Sequence, residues 1–254
     1  MKRNITSDSE VIRAYSAAEH QTKDALIGQM LDSPIPREEL QGSLVLFQDR
    51  RVISRILFVN ELYQHIIGLH GCIMEFGVRY GPNLALFTSL RGIHEPYNHV
   101  RKVIGFDTFS GFPGTHPSKD PSTSSAGDYA VPEDYEKFLE TNLATHESMA
   151  PLANIRKFEL VKGDATATVP AYLAAHPETL ISLAYFDLDL YEPTKVCLEA
   201  ILPYLTRGAV IGFDELAVAA FPGEMEAVRE VFADRRFTFH HSPYRAAAAY
   251  VIYE

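Results

Sequence analysis

From residue 71 onward, short apolar runs alternate with stretches in which apolar residues recur at helical spacing. The apolar runs predict strands at GCIMEFG (71–77), KVIGFDTF (102–109), KFELVKGD (157–164), ISLAYFDLDL (181–190) and AVIGFDE (209–215). The stretches between and after them predict helices at NLALFTSLRGI, EDYEKFLETNLATH, TVPAYLAAHP, TKVCLEAILPYL and GEMEAVREVFAD. This alternation is typical of βαβ units, so we predict an α/β fold with a mostly parallel, doubly wound sheet.

The two ends of the chain depart from this alternation. Residues 1–50 are polar and mixed, so we predict an N-terminal extension of short helices and loops. RVISRILFVNELYQHIIGL (51–69) then predicts one or two amphipathic helices that open the main domain, residues 51–254. FTFHHS and AAAAYVIYE, separated by SPYR, predict a C-terminal antiparallel hairpin.

One long segment has no helical or strand pattern. It runs over about residues 110–132 and is rich in Ser, Pro and Gly. Long loops of this kind are usually lids, binding loops or disordered segments. Because it follows the strand that ends near Asp107, we interpret it as a lid over a binding site.

Acidic residues follow the ends of the predicted strands. They are Glu75, Asp107, Asp164, Asp187, Asp189, Asp214 and Glu215. Ligands of a doubly wound sheet bind at the carboxyl ends of its strands, so we predict the functional site at this edge. The alternative is that these acids cap the helices that follow.

The acids of the last two strands predict a cation site. Asp187 and Asp189 are two residues apart, so on a strand they would face the same side. Asp214 and Glu215 end the next apolar run. Crowded carboxylates take up protons or share a cation. With no Cys or His among them, the expected ion is Mg²⁺, with Ca²⁺ and Mn²⁺ as alternatives.

The acids of the first two strands predict a nucleoside ligand. In EFGVRYG (75–81), Gly77 would let the backbone approach a ligand closely. The stretch lacks the G-x-G-x-x-G spacing of a dinucleotide site, which disfavours hydride transfer. Carboxylates at Glu75 and Asp107 suit a positively charged nucleoside, because they accept hydrogen bonds from ribose hydroxyls.

Composition narrows the class of partner. The 254-residue chain has a formal net charge of −10, which disfavours nucleic acid and anionic membranes as partners. Cys72 and Cys197 lie in apolar stretches and are expected to be buried free thiols, as in a reducing cytoplasm. No secretory leader or membrane-spanning run is evident, so we expect a soluble cytoplasmic protein that takes a small molecule.

Five stretches, in the order EFGVRYG, GFDTFSGFP, DLDLYEPT, GFDEL and FPGE, resemble the macrocin O-methyltransferase family over residues 55–235. The resemblance implies a Rossmann-like, class I methyltransferase that uses S-adenosylmethionine and Mg²⁺. It implies transfer to a deoxysugar hydroxyl in antibiotic biosynthesis. GFDEL and FPGE resemble the branch that acts on the 3-hydroxyl of nucleotide-linked sugars of the TDP-rhamnose type.

The resemblance also implies roles for individual residues. Those implied for donor binding are Glu75, Gly77, Tyr80, Asp107, Thr108, Asp164, Ala165 and Asp187. Asp187, Asp214 and Glu215 are implied as metal ligands, and Asp189 as the general base. Apart from the resemblance, His116 lies in the predicted lid, where it could contact the sugar or act as an alternative base. The chain departs from the family at Glu215, where an aspartate is usual, and at Leu188, where the family commonly has glycine.

Two other functions remain open from the sequence. One is an NAD-dependent oxidoreductase on a similar fold, and the other is a non-catalytic module that binds a nucleoside or a metal. The acceptor and the hydroxyl that is methylated are also open. We expect a homo-oligomer, because the 50-residue extension offers a surface for a partner subunit.

Overall fold

The computed structural model describes residues 17–234 and 237–254, with side chains from residue 21 onward. The N-terminal extension contains α1 (Ala17–Leu31), α2 (Arg37–Ser43) and a 3₁₀ turn (Leu44–Phe47). The part of the predicted extension before residue 17 lies outside the described residues. The chain divides into two compact units, Met1–Leu57 and Phe58–Glu254.

The C-terminal unit is built on a seven-stranded sheet with the order β3-β2-β1-β4-β5-β7-β6. The strands are β1 (Cys72–Phe76), β2 (Val103–Asp107), β3 (Phe158–Lys162), β4 (Ile181–Phe186), β5 (Leu205–Phe213), β6 (His240–His241) and β7 (Ala249–Ile252). The first five strands in chain order are parallel, β7 pairs antiparallel with β5, and β6 pairs antiparallel with β7. The predicted parallel sheet and the C-terminal antiparallel hairpin are confirmed.

Helices cover both faces of this sheet. They are α3 (Arg50–Ile66), α4 (Pro82–His94), α5 (Tyr135–Ser148), α6 (Ala165–Ala175), α7 (Tyr191–Ile201) and α8 (Pro222–Val231). Successive strand residues point to opposite faces, so Ile73 packs with α3, α4 and α5, while Met74 packs with α6, α7 and α8. Burial on both faces explains why the strands read as continuous apolar runs.

Two predicted boundaries are wrong. β4 ends at Phe186, so Asp187 and Asp189 lie in the turn before α7 and not on a strand. Asp189 has a left-handed backbone, with φ of 63°, which a strand does not allow. Asp187 and Asp189 therefore do not share one face of a strand. They lie at the carboxyl edge of the sheet because the β4–α7 turn carries them. The predicted strand FTFHHS is reduced to the two residues of β6.

Two smaller observations bear on the sequence predictions. Cys72 and Cys197 are buried free thiols, as predicted, and burial raises the pKa of Cys72 to about 12. Over residues 17–234 and 237–254, the structure contains no helix with the length and apolarity needed to cross a membrane.

Candidate active site at the carboxyl edge of the sheet

Five carboxylates gather where β4 and β5 end, and we call them the acid cluster. They are Asp187 and Asp189 in the β4–α7 turn, Asp214 and Glu215 directly after β5, and Glu224 in the first turn of α8. Burial, and then the charges of Glu215 and Asp214, raise the pKa of Asp189 to about 7, while Arg79 opposes the shift. Burial raises the pKa of Glu224 well above its ordinary value, and the other four acids raise it further. The five carboxylates therefore act on one another.

Two side chains bind the Asp214 carboxylate in the acid cluster. The Tyr185 hydroxyl donates to Asp214 Oδ1 at 2.5 Å. Arg245 binds the same carboxylate with two parallel bonds, Nη1 to Oδ1 at 2.8 Å and Nη2 to Oδ2 at 2.9 Å. Arg245 lies between β6 and β7, so the C-terminal hairpin supplies a positive charge to the site. Such a two-point pair fixes the carboxylate firmly.

The acid cluster has the chemistry of a site for a hard divalent cation. Its ligand atoms are all carboxylate oxygens, which Mg²⁺ prefers. Among the described residues, however, no three His, Cys, Asp or Glu side chains already form a ligand set. The donor chemistry of the acid cluster therefore fits the ion.

A second group of predicted residues lies beside the acid cluster, at the β1–α4 turn. Gly77 has φ of 88°, and a Cβ there would collide with the backbone carbonyl of Asp187. Only glycine fits this close approach. Glu75, which is 1% exposed, accepts a hydrogen bond from Asn83 Nδ2 at 2.9 Å. The turn predicted to bind the donor therefore touches the turn that carries Asp187.

Asp107 connects the ends of β1 and β2. Its Oδ2 accepts hydrogen bonds from the backbone N–H groups of Val78 and Arg79, both at 2.7 Å. Its Oδ1 accepts one from the N–H of Phe109 at 2.5 Å. A carboxylate has about four lone-pair sites, so capacity remains for a ligand hydroxyl. Asp107 thus orders the site, and its predicted contact with ribose stays a prediction.

Thr108 and Tyr80 order the surroundings of Asp107. Thr108 Oγ1 donates to the carbonyl of Gly111 at 2.6 Å and so shapes the start of the 110–132 loop. The Tyr80 carbonyl accepts a bond from the Tyr135 hydroxyl at 3.1 Å, and the two rings meet edge-on at 5.2 Å. Their predicted contacts with the donor are not tested by these interactions.

Asp164 caps a helix, as the alternative reading of the acids proposed. It is the N-cap of α6 and accepts bonds from Thr166 N at 2.9 Å and Thr166 Oγ1 at 2.8 Å. Ala165 is the first residue of α6 and is buried. A capping carboxylate keeps free lone pairs, so a place for both residues beside the adenine remains a prediction.

The 110–132 loop docks on the first turn of α7. Asp120, which is 9% exposed, accepts bonds from His116 N at 2.6 Å and from Tyr191 N at 2.8 Å. The Lys119 ammonium lies 3.6 Å from the centre of the Tyr191 ring and bonds Glu230 of α8 at 2.5 Å. Hydrogen bonds from Lys119, Lys195 and the Tyr191 hydroxyl lower the pKa of Glu230 to about 2.

Tyr129, which was not among the predicted site residues, extends from the 110–132 loop to the acid cluster. Burial, followed by the charges of Asp189, Glu215 and Asp187, raises the pKa of Tyr129. The guanidinium of Arg79 lies 4.8 Å from the centre of the Tyr129 ring. The only sequence signal for Tyr129 is its place in the loop.

His116, the predicted alternative base, makes its contacts elsewhere. Its ring meets Tyr191 edge-on at 5.3 Å, and its Nδ1 lies 3.3 Å from the N–H of Ser118. Neither contact involves the acid cluster. The structure thus brings together Glu75, Gly77, Asp187, Asp189, Asp214 and Glu215, and leaves His116 against α7.

Known structures with the same fold include sugar methyltransferases. The chain is similar to the crystal structure of CalS11, a calicheamicin methyltransferase, with 43% identity and a TM-score of 0.91 over 94% of this chain and 93% of the other. An apo structure of CalS11, named as a TDP-rhamnose 3′-O-methyltransferase, matches with 41% identity and a TM-score of 0.83 over 94% and 95% of the two chains.

A more distant structure shows the same fold. The O-methyltransferase NovP matches with 19% identity and a TM-score of 0.63 over 92% of this chain and 97% of that one. No protein-family model and no curated protein sequence matches the chain.

Proposed function

The chain belongs to the family of S-adenosylmethionine-dependent O-methyltransferases that includes CalS11, and we propose that it methylates a hydroxyl of a nucleotide-linked deoxysugar with the help of Mg²⁺. The observation that carries this proposal is the contact between the Gly77 turn and the turn of the acid cluster. This contact supports the proposal because the turn predicted to bind the donor lies next to the carboxylates predicted to bind the cation. The proposed acceptor is a TDP-rhamnose-type sugar in natural-product biosynthesis, and the proposed position is its 3-hydroxyl.

The reaction needs a base for the acceptor hydroxyl. The hydroxyl oxygen bonds to the methyl carbon of S-adenosylmethionine, the bond from that carbon to sulfur breaks, and S-adenosylhomocysteine leaves. We propose that Asp189 Oδ takes the hydroxyl proton, because its raised pKa suits an acceptor near neutral pH. His116 is the weaker candidate, since its contacts are with Tyr191 and Ser118.

We propose Asp187, Asp214 and Glu215 as the residues that hold the cation. When bound, Mg²⁺ lowers the pKa of a neighbouring hydroxyl and so supplies a better nucleophile. Support comes from the all-oxygen acid cluster and its excess negative charge. The pair between Arg245 and Asp214 holds one of these carboxylates in place.

We propose that the donor lies along the neighbouring turns. Glu75, Gly77 and Tyr80 follow its methionine part, with Asp187 beside them. Asp107 and Thr108 face its ribose, and Asp164 and Ala165 its adenine. The free lone pairs of Asp107 and the glycine-only backbone at Gly77 support this path.

The 110–132 loop is proposed as the lid over the acceptor. Asp120 fastens it to α7, and Tyr129 comes from it to the acid cluster. A loop fastened beside the site excludes water and holds the two reactants together. This positioning contributes part of the rate enhancement.

Two assays test this function. Titration calorimetry of S-adenosylhomocysteine, with NAD as the comparison ligand, is expected to show binding of the first only. Methyl transfer to nucleotide-linked 6-deoxyhexoses is then expected to proceed with Mg²⁺ and to stop with a chelator. Binding of NAD alone would contradict the donor assignment, and unchanged transfer in the chelator would contradict the metal requirement.

We also propose that the protein is a cytoplasmic homo-oligomer. Its two free thiols suit a reducing compartment. The N-terminal unit exposes large apolar side chains, with Leu31 at 75%, Val45 at 70% and Leu46 at 65% exposure. Exposed apolar groups of this kind favour a partner surface. Analytical ultracentrifugation is expected to show a dimer or larger species, and a monomer at every concentration would contradict this.

A further inference from the structure

Glu224 is a buried carboxylate without a hydrogen bond. It is 1% exposed, and neither of its oxygens has a hydrogen-bond partner within the described part of the chain. Buried polar groups are nearly always paired, because an unpaired one gives up its bonds to water without compensation. We therefore expect the Glu224 carboxylate to have a hydrogen-bond partner from outside the described part of the chain.

Helix capping does not explain this residue. Glu224 is the third residue of α8, where a glutamate often turns back to bond the N–H of the N-cap residue. Here the N-cap is Phe221, and its N–H donates instead to the carbonyl of Val218 at 3.1 Å. The side chain of Glu224 is thus left for another role.

The packing of α8 explains why Glu224 is buried. Its neighbour Gly223 lies so close to α7 that a Cβ would be 2.7 Å from Tyr191 N and would collide with Asp120 Oδ1. This approach presses the first turn of α8 against α7. The charges acting on Glu224 are those of the other four members of the acid cluster, so Glu224 lies beside that cluster.

The charges that act on Glu224 are those of four carboxylates, and each of them is negative. Glu224 itself is closed off from water. A partner that is cationic, or that donates hydrogen bonds while bound to a cation, would offset these charges and satisfy the hydrogen-bonding capacity of Glu224.

We propose that Glu224 is a positioning residue of the cation site, whose carboxylate accepts hydrogen bonds from water bound to the divalent cation. This inference rests on the metal dependence proposed above. Mg²⁺ keeps several of its waters in proteins, and carboxylates around such waters orient them.

The test compares two glutamates of the same helix. Glu224→Gln removes the charge and keeps the shape, and Glu226→Gln does the same at a side chain that is 42% exposed. The probe is Mn²⁺, titrated into the full-length protein without acceptor and followed by electron paramagnetic resonance. We expect Glu224→Gln to weaken binding by about 10- to 100-fold, as for other groups that support a metal from outside its ligand set. Glu226→Gln is expected to bind like the unchanged protein.

Thermal unfolding provides a second readout. Without metal, Glu224→Gln is expected to melt no lower than the unchanged protein, because it removes a buried charge from among like charges. Added Mg²⁺ is expected to raise the melting temperature of the unchanged protein and of Glu226→Gln more than that of Glu224→Gln. If the glutamine variant does not fold, Glu224→Met, which has a similar shape, takes its place.

The possible failures are distinguishable. If the unchanged protein binds Mn²⁺ and Glu224→Gln binds it equally well, Glu224 is only structural and this inference fails alone. If the unchanged protein does not bind Mn²⁺, the inference fails together with the proposed metal dependence. If both variants lost Mn²⁺ affinity equally, the loss would follow from the change in net charge alone. That result would also overturn the role of Glu224.

Discussion

Asp189 is held in a backbone conformation that few residues adopt. Its φ of 63° lies in the left-handed region, which asparagine and aspartate tolerate better than other residues with side chains. Such a conformation costs about 1 kcal/mol or more, and the surrounding turn must stabilise it. Burial, and then the charges of the nearby Glu215 and Asp214, raise the pKa of this carboxyl.

Replacement of this side chain tests its role as the base. Asp189→Asn keeps the shape and tolerates the left-handed backbone, so we expect the fold and S-adenosylhomocysteine binding to remain. Because the amide cannot take a proton, methyl transfer is expected to fall about 10²- to 10⁴-fold.

The control for this variant is the alternative base, measured in the same rate assay. His116→Ala is expected to retain transfer within a few-fold, because His116 contacts Tyr191 and not the acid cluster. If His116→Ala lowered the rate of methyl transfer more than Asp189→Asn did, the base would be His116.

Several site residues were not predictable from the sequence because their partners are distant along the chain. Arg245 pairs with Asp214 across 31 residues, and nothing in the loop between β6 and β7 indicates a role in the site. Glu224 has the sequence pattern of an ordinary acid in the first turn of a helix. Its burial appears only in the structure, where Gly223 brings the first turn of α8 close to Tyr191.

The 110–132 loop is fastened to the helices by few contacts. The principal one is Asp120, whose two oxygens accept the backbone N–H groups of His116 and Tyr191. Lys119 adds its contacts with Tyr191 and Glu230.

Asp120→Ala is expected to release this loop. The change leaves two N–H groups without a partner, which costs about 1–3 kcal/mol for each buried donor. We expect faster proteolytic cleavage within residues 110–132 and a higher KM for the sugar acceptor. Limited proteolysis and steady-state kinetics measure the two effects.

The matched control is another aspartate of the same loop. Asp128→Ala removes a bond to Ser125 N at 2.8 Å that lies within the loop and does not reach α7. It is expected to leave acceptor KM unchanged. Equal cleavage rates in Asp120→Ala and the unchanged protein would show that Asp120 does not fasten the loop.

At the scale of elements, the sequence predicts the strands well for a physical reason. Parallel strands covered on both faces are rich in apolar residues at successive positions, so the central strands β1 and β4 appear as short apolar runs. The end of β4 was mispredicted because Leu188 and Leu190 continue the apolar alternation after Phe186. The turn that breaks the strand depends on contacts with β1 and Gly77, which the local pattern does not contain.

In the C-terminal unit, the acid cluster and a buried arginine network lie at opposite ends of the sheet. Opposite the acid cluster, at the amino ends of the strands, the fully buried Arg101 joins several elements. Its guanidinium donates to the carbonyl of Gly71 at 2.8 Å, to Ser182 Oγ at 2.6 Å and to Glu95 Oε2 at 2.6 Å. It also donates to the carbonyls of Ile66 and Leu69 at the end of α3.

Loss of this arginine is expected to destabilise the protein without changing its chemistry. Arg101→Met breaks a buried ion pair on one side and leaves Glu95 without its cation, so we expect a loss of about 3–5 kcal/mol in the free energy of unfolding. Urea unfolding measures the loss, and calorimetry at low temperature is expected to show unchanged affinity for S-adenosylhomocysteine.

The control is the adjacent residue in the chain. Lys102 is exposed, and Lys102→Met is expected to change stability by less than about 0.5 kcal/mol. A small effect of Arg101→Met, comparable with that of Lys102→Met, would contradict the structural role of the buried arginine.

The most direct test of the proposed function is methyl transfer from S-adenosylmethionine to TDP-rhamnose by the purified protein, followed by mass spectrometry of the sugar nucleotide. We predict one added methyl group at the 3-hydroxyl, formed with Mg²⁺ and not formed in a chelator. Absence of a methylated product from this and related nucleotide-linked deoxysugars, in a folded protein that binds S-adenosylhomocysteine, would contradict the proposed acceptor class.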